Sequence, residues 1–205
     1  VTALEARGLA CMRGDVRLFR DVSFSAMPGE WIALTGANGS GKTTLLRCLA
    51  GLVLPEAGDV LWDSRPARDT QSGFREQAIY AGHAAGIKDD LSAAENLRDA
   101  LQLRGVAAGE HAMDEALGQV GLASRRRLPA RRLSAGQRRR IGLARLWLDP
   151  AIAWLLDEPL TALDAEGEAL FCRMLERHLG RGGLAVIATH HGIMPPATRE
   201  VRLGT

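Results

Sequence analysis

Gly36-Ala37-Asn38-Gly39-Ser40-Gly41-Lys42-Thr43 is the stretch that decides the fold. It satisfies the pattern G-x-x-x-x-G-K-[ST]. Before it lies a short apolar run, Trp31-Ile32-Ala33-Leu34-Thr35, and after it a segment with helical spacing, Thr44 to Leu52. Strand, glycine-rich loop and helix in that order form the setting a phosphate-binding loop requires. The glycines let the backbone curl so that several N–H groups point at one phosphate. The following helix adds the partial positive charge of its N-terminus. Lys42 is expected to reach the β- and γ-phosphates, and the Thr43 hydroxyl to ligate Mg2+. The eight loop residues and Thr44 after them are the candidate nucleotide contacts.

The chain around this loop has 205 residues, of which 46% are hydrophobic and 24% charged, enough for one ordinary buried core. Among its 26 basic residues only Lys42 and Lys88 are lysines; the rest are arginines. A motif that demands lysine is therefore a rare event in this composition. The net charge of +2 is too balanced to argue for nucleic acid. No apolar run approaches the ~18 residues of a membrane-spanning helix. The charged opening, Val1-Thr2-Ala3-Leu4-Glu5-Ala6-Arg7, does not read as a signal peptide, and a start without Met is expected to be processed or trimmed. Cys11, Cys48 and Cys172 have no C-x-x-C spacing, so zinc, haem attachment and thioredoxin chemistry lack support and reduced, buried thiols are expected.

Further along, residues 1 to about 25 alternate apolar and polar around Arg13-Gly14-Asp15, the pattern of a hairpin. Pro55 to Trp62 reads as a turn and strand, and Ala78-Ile79-Tyr80-Ala81 as another short strand. From about Ile87 to Leu148 the pattern becomes helical, broken by Gly105, Gly109, Gly121 and Pro129. Ala151–Leu156 and Leu184–Thr189 read as buried parallel strands with a helix, 164–180, between them. The first of these strands ends in Asp157-Glu158. A buried strand end delivers Asp157 toward a phosphate loop, where it can hold Mg2+, and leaves Glu158 able to polarise a water. An ordinary acidic strand end is the alternative reading of that pair taken alone.

With these motifs in order, the chain resembles the ABC ATPases. Leu133-Ser134-Ala135-Gly136-Gln137 resembles that family's signature motif, Leu160-Thr161-Ala162-Leu163-Asp164 its D-loop, and Ala188-Thr189-His190 its switch-histidine segment. The resemblance covers nearly the whole chain. It implies an α/β P-loop NTPase with a parallel-sheet core, an N-terminal antiparallel β subdomain and a helical insert. Residues 1–83 and 146–205 would form the nucleotide-binding core with the β subdomain. Residues from about 84 to 145 would form the helical subdomain bearing the signature.

The resemblance also implies that two copies sandwich two ATP molecules, each site taking a phosphate loop from one copy and a signature from the other. Ser134 is a good N-cap for the helical run ending at Leu148, and that helix start, with the small Gly136, suits a partner's γ-phosphate. On the family pattern Ser134, Gly136, Gln137 and Asp164 contact nucleotide or couple the sites, Glu158 is the general base, and His190 contacts the γ-phosphate.

Three departures stand out. His83 occupies the place of the family's usual Gln, where a pH-sensitive imidazole is expected to sense the γ-phosphate and the membrane partner. Arg13 stands where an adenine-stacking aromatic is expected; a guanidinium also stacks on flat rings. Phe19 competes for that role but fits the core pattern better. Leu128-Pro129-Ala130-Arg131-Arg132 replaces the acidic, Gly-containing stretch that many exporters carry before the signature.

More narrowly, Tyr80 to Lys88 and Leu133 to Leu148 are similar to the ATPase subunits of the cytochrome c biogenesis haem-exporter system. That implies ATP and Mg2+ as cofactors and membrane subunits resembling CcmB, CcmC and CcmD as partners. It also implies a peripheral place at the cytoplasmic face of the inner membrane. The rivals are the ATPase of another ABC exporter and a nucleotide-gated binding switch without transport. The arginine clusters 125–127, 131–132 and 138–140 are read as a solvated helix face with salt bridges, the first two clusters alternatively facing anionic lipid or a membrane partner.

Overall fold

The computed structural model describes residues 3–82, 86–189 and 194–204. In chain order its elements are β1 (Leu4–Arg13), β2 (Val16–Ala26), β3 (Trp31–Gly36), α1 (Lys42–Leu49), β4 (Ala57–Trp62), β5 (Arg65–Pro66), α2 (Phe74–Gln77) and β6 (Ala78–Ala81). There follow α3 (Ala93–Leu103), α4 (Glu110–Gln119), α5 (Ala135–Leu148), β7 (Ala153–Asp157), α6 (Ala165–Gly180), β8 (Leu184–Ala188) and β9 (Arg199–Leu203). Two compact units divide them. The first comprises Val1–Gly82, Ala151–Pro159 and Glu176–Thr205; the second comprises His83–Pro150 and Leu160–Leu175. The second unit thus takes in the D-loop segment as well as the helical run read from the sequence.

In the first unit β1 and β2 pair antiparallel, closing at Arg13 opposite Val16, and an antiparallel sheet is completed in the order β2-β1-β4-β5. A parallel sheet runs β6-β7-β8-β3-β9. Every residue of β7 and β8 is buried, the burial expected of interior parallel strands covered on both faces. Leu4, Leu9, Phe24 and Trp62 from the antiparallel sheet share one core with Ile32, Leu34, Leu155 and Val186 from the parallel sheet and Leu45 and Leu49 from α1. Truncating any such Leu to Ala would cost about 2–5 kcal/mol.

The register levels the ends of three strands, because Ala188 lies opposite both Asp157 and Leu34. The carboxyl ends of parallel strands are where α/β sheets place their ligands. The sequence pattern does not mark β9 as a strand. Its segment, Arg199-Glu200-Val201-Arg202-Leu203, is charged and mostly exposed, as an edge strand tolerates and a periodicity search overlooks.

In the second unit α3 and α5 both begin with a capping box. Ser92 accepts from the Glu95 amide while the Glu95 carboxylate accepts from the Ser92 amide, and Ser134 and Gln137 do the same for α5. The Ser92 bonds hold the Glu95 carboxyl below its usual pKa. Asn96, buried at the start of α3, accepts from the Lys88 amide and donates to the carbonyls of Lys88, Leu91 and Ser92. One side chain therefore fixes the loop that leads into the helix. Each arginine cluster contains a surface ion pair: Arg126 with Asp114, Arg131 with Asp90, Arg138 with Asp89.

Candidate active site

The phosphate loop follows β3 and opens α1. At its start Gly36 has φ 133°, and a Cβ there would lie 2.3 Å from the Leu203 carbonyl oxygen of β9, so only glycine permits this approach. Lys42 is buried, 8% exposed, and its Nζ donates to the carbonyls of Gly36 (2.8 Å) and Ala37 (3.1 Å). The ammonium is thus already held over the loop it belongs to, with a donor left over. Among the described residues the backbone N–H groups of Gly39 and Gly41 have no partner, and the buried Ser40 hydroxyl has none either. That oxygen lies 2.9 Å from where a Gly36 Cβ would sit. Free amides, an orphaned hydroxyl and a held ammonium are the donor set that a polyphosphate satisfies. Ala37 and Asn38 complete the turn of this loop, and Thr44 follows Thr43 within α1.

From the second residue of α1, Thr43 Oγ1 donates to Asp157 Oδ2 at 2.8 Å. Asp157 is 3% exposed and ends β7. Two hard oxygen ligands at this separation, beside the phosphate donors, suit Mg2+. The next residue, Glu158, is half-buried with φ 51°, a left-handed conformation uncommon for a side chain of this kind, and its amide donates to the Ala188 carbonyl at 2.9 Å. Strain of this sort is retained where the surroundings over-determine it, often at active sites. Thr189 is pinned in turn, its amide donating to the Leu34 carbonyl of β3.

In the second unit a cleft of about 330 Å3 lies at the N-terminus of α5. Ser134, Gly136, Gln137, Asp164, Arg140 and Arg125 contribute to its wall. The Ser134 hydroxyl accepts from the Gln137 amide (3.2 Å), which leaves its own proton free to donate. A Cβ on Gly136 would fall 2.7 Å from the Ala162 carbonyl oxygen, so the glycine is needed first for the close approach of the 160–164 loop. Ala162 itself has φ 66°. Arg140, 8% exposed, donates to Asp164 Oδ1 (2.6 Å), Glu166 Oε2 (3.2 Å) and the Val120 carbonyl (3.1 Å). Asp164 Oδ1 also accepts from the Gly167 amide and so caps α6. These bonds, the Arg140 one first, hold its carboxyl below the usual carboxylate range.

Of the residues singled out in the sequence, His83 and His190 lie outside the described residues. Arg13 is exposed at the end of β1, at the hairpin turn. Phe19 is buried in the core of the first unit. Arg140 was visible only as part of an arginine cluster. Its signal was position, since it stands three residues, about one helical turn, beyond Gln137 on α5.

Residues 19–161 match the family described as ABC transporter. The chain belongs to the ABC transporter family. Within that family it is 48% identical over 194 residues to the cytochrome c biogenesis ATP-binding export protein CcmA of Nitrosomonas europaea, covering 95% of this chain and 91% of that protein. It is 45% identical to the protein of the same name in Pseudomonas aeruginosa, covering 98% and 99%. Among solved structures, an ABC transporter ATP-binding protein from Pyrococcus furiosus superposes with a TM-score of 0.85 at 22% identity, covering 98% of this chain and 97% of that one. The ATP-binding cassette MJ0796, in a dimeric post-hydrolysis state bound to ADP and Pi, gives 0.84 at 22% identity, covering 98% and 94%. At that identity the two structures speak for the fold: this is an ABC ATPase domain with an antiparallel β sheet, a parallel core sheet and a helical unit.

Proposed function

We propose that the chain hydrolyses ATP to drive a membrane ABC complex of c-type cytochrome biogenesis, either exporting haem or releasing it from its chaperone. The observation that carries the ATPase reading is the meeting of Thr43 with Asp157 beside a loop of unpaired phosphate donors. The biogenesis role rests on the 45–48% identity to the CcmA proteins over nearly the full chain.

In this reading Gly36 to Thr44 bind the triphosphate, and Thr43 and Asp157 would hold Mg2+. A bound Mg2+ supplies charge neutralisation on the β- and γ-phosphate oxygens. Lys42 turns part of its hydrogen bonding from the loop carbonyls to phosphate oxygens. Glu158 takes the proton of the attacking water, its backbone held by Ala188 so that the carboxylate stays aimed. His190 contacts the γ-phosphate, His83 senses it, and Arg13 stacks on the base. Ser134, Gly136 and Gln137 of a second copy close over the nucleotide, with Asp164 coupling the two sites.

Among the described residues no helix is long and apolar enough to cross a membrane. In this reading the stroke passes to other chains. Those chains are subunits resembling CcmB, CcmC and CcmD, with this chain peripheral on the cytoplasmic face of the inner membrane. Pull-down of the tagged chain from membranes should recover them; recovery of an unrelated permease instead would transfer the chain to another exporter.

A binding switch that frees haem without moving it across the membrane is the second reading. It draws support from a Salmonella choleraesuis protein named as a bifunctional cytochrome c-type biogenesis protein, CcmAE, of which this chain covers 57% at 46% identity. ATP-dependent haem uptake into inverted vesicles separates the two readings.

A further inference from the structure

Three consecutive arginines, Arg125-Arg126-Arg127, are not one patch. Arg126 is drawn away by Asp114 (3.3 Å) and by the Ala123 carbonyl. Arg125 instead forms part of the wall of the cleft that holds Ser134, Gly136 and Gln137, and its exposed side chain has no hydrogen-bond or ion-pair partner among the described residues.

The charges of that wall explain what Arg125 does there. The ionised side chains are Arg125, Arg140, Asp164 and Glu166, two positive and two negative. Arg140 is committed to both carboxylates, at 2.6 and 3.2 Å. Without Arg125 the cleft would hold one cation against two anions, and a polyphosphate entering it would meet net negative charge. Arg125 is the cationic side chain of the wall with its guanidinium free, and five N–H donors on a planar fork suit phosphate oxygens.

We infer that Arg125 is a nucleotide-positioning residue that acts in trans: it contacts the phosphate chain of ATP bound to the phosphate loop of a second copy. The inference rests on the proposed reading in which two copies share each nucleotide. It assigns to Arg125 the charge balance that lets this cleft accept the partner's ATP. Because an exposed charge pair is worth roughly 1 kcal/mol, about fivefold, the contact tunes closure of the pair without being indispensable to it.

The test uses the full chain carrying Glu158→Gln, with MgATP as the probe. Dimer formation is followed by analytical ultracentrifugation across ATP concentrations. Nucleotide binding to the dilute monomer is measured alongside. Arg125→Glu should raise the ATP concentration for half-maximal dimerisation about fivefold or more, Arg125→Lys should restore most of the loss, and monomer affinity should stay unchanged. Equal dimerisation by Arg125→Glu and the parent overturns the inference and leaves the shared-nucleotide reading standing. A matching loss of monomer affinity overturns it too, since the residue would then act on its own chain's nucleotide. If the parent forms no ATP-dependent dimer while Ser134→Arg leaves hydrolysis by the native chain intact, the shared-nucleotide reading fails and the inference falls with it.

Discussion

Thr43 Oγ1 donates to Asp157 Oδ2 at 2.8 Å, across 114 residues of chain. The hydroxyl belongs to the first turn of a helix and the carboxylate to the end of a buried strand. Their meeting turns two unrelated sequence motifs into one oxygen-lined site. Thr43→Val should abolish the hydroxyl ligand while keeping the shape, and cut Mg-dependent ATPase turnover by about tenfold or more. Thr43→Ser should retain most activity. Steady-state ATPase titrated with Mg2+ checks this, and a Val variant with native Mg2+ dependence would show that the pair is structural only.

Lys42 is one of two lysines among 26 basic residues, and it sits where arginine fits poorly. Its Nζ lies within hydrogen-bonding reach of two loop carbonyls in a space that leaves it 8% exposed. A planar guanidinium is too broad for that space. Lys42→Arg is therefore expected to lose activity on the order of 100-fold with the overall fold kept, as read by ATPase assay and circular dichroism. Lys88 is paired with Asp99 on the surface at 2.9 Å, and Lys88→Arg should leave ATPase activity native.

Arg140 and Asp164 form a single device that ties α5 to the start of α6. Arg140→Met and Asp164→Asn should each reduce ATPase turnover by about tenfold, and the double variant should be no worse than Arg140→Met alone. Additive losses in this double-mutant cycle would mean that the two residues act separately.

His178 stacks on Trp154, with ring centroids 3.9 Å apart and planes at 11°, and its Nε2 faces the Leu184 carbonyl at 3.1 Å. Burial lowers its pKa below the ordinary 6.5, against the opposing pull of the Leu184 and Ile152 backbone. The unfolded chain then takes up a proton near pH 6.5 that the folded chain takes up only at lower pH. Stability from this group is full above about pH 6.5 and falls as the pH drops toward the folded pKa. Thermal melts should show Tm falling as the pH drops below about 6.5, and His178→Phe, which keeps the stack, should flatten that slope. Glu95 and Asp164, whose pKa values are lowered from 4.5 and 3.8, titrate below this window.

Much of the candidate site is legible in the sequence alone. A phosphate loop is a local object: eight consecutive residues, each chosen for backbone freedom or one donor group, carry their function in their order. The same holds for Ser134 with Gln137, a capping box written in four letters. The strands β7 and β8 were legible because burial on both faces makes them continuous apolar runs. β9 was not, because an edge strand is stabilised by its partner's hydrogen bonds more than by its own side chains.

What the sequence by itself determined is the set of chemical groups: the loop, the strand-end acids, the signature and its cap. Tertiary structure alone decided which of them meet. The bond from Thr43 to Asp157 and the neighbour that forces glycine at position 136 join residues far apart in the chain, and the fold sends Arg126 to a salt bridge while its neighbour Arg125 joins the wall of the cleft at the start of α5. Such contacts form only when packing of buried strands and helices fixes backbone positions to within a hydrogen bond's tolerance. No local pattern encodes that distance.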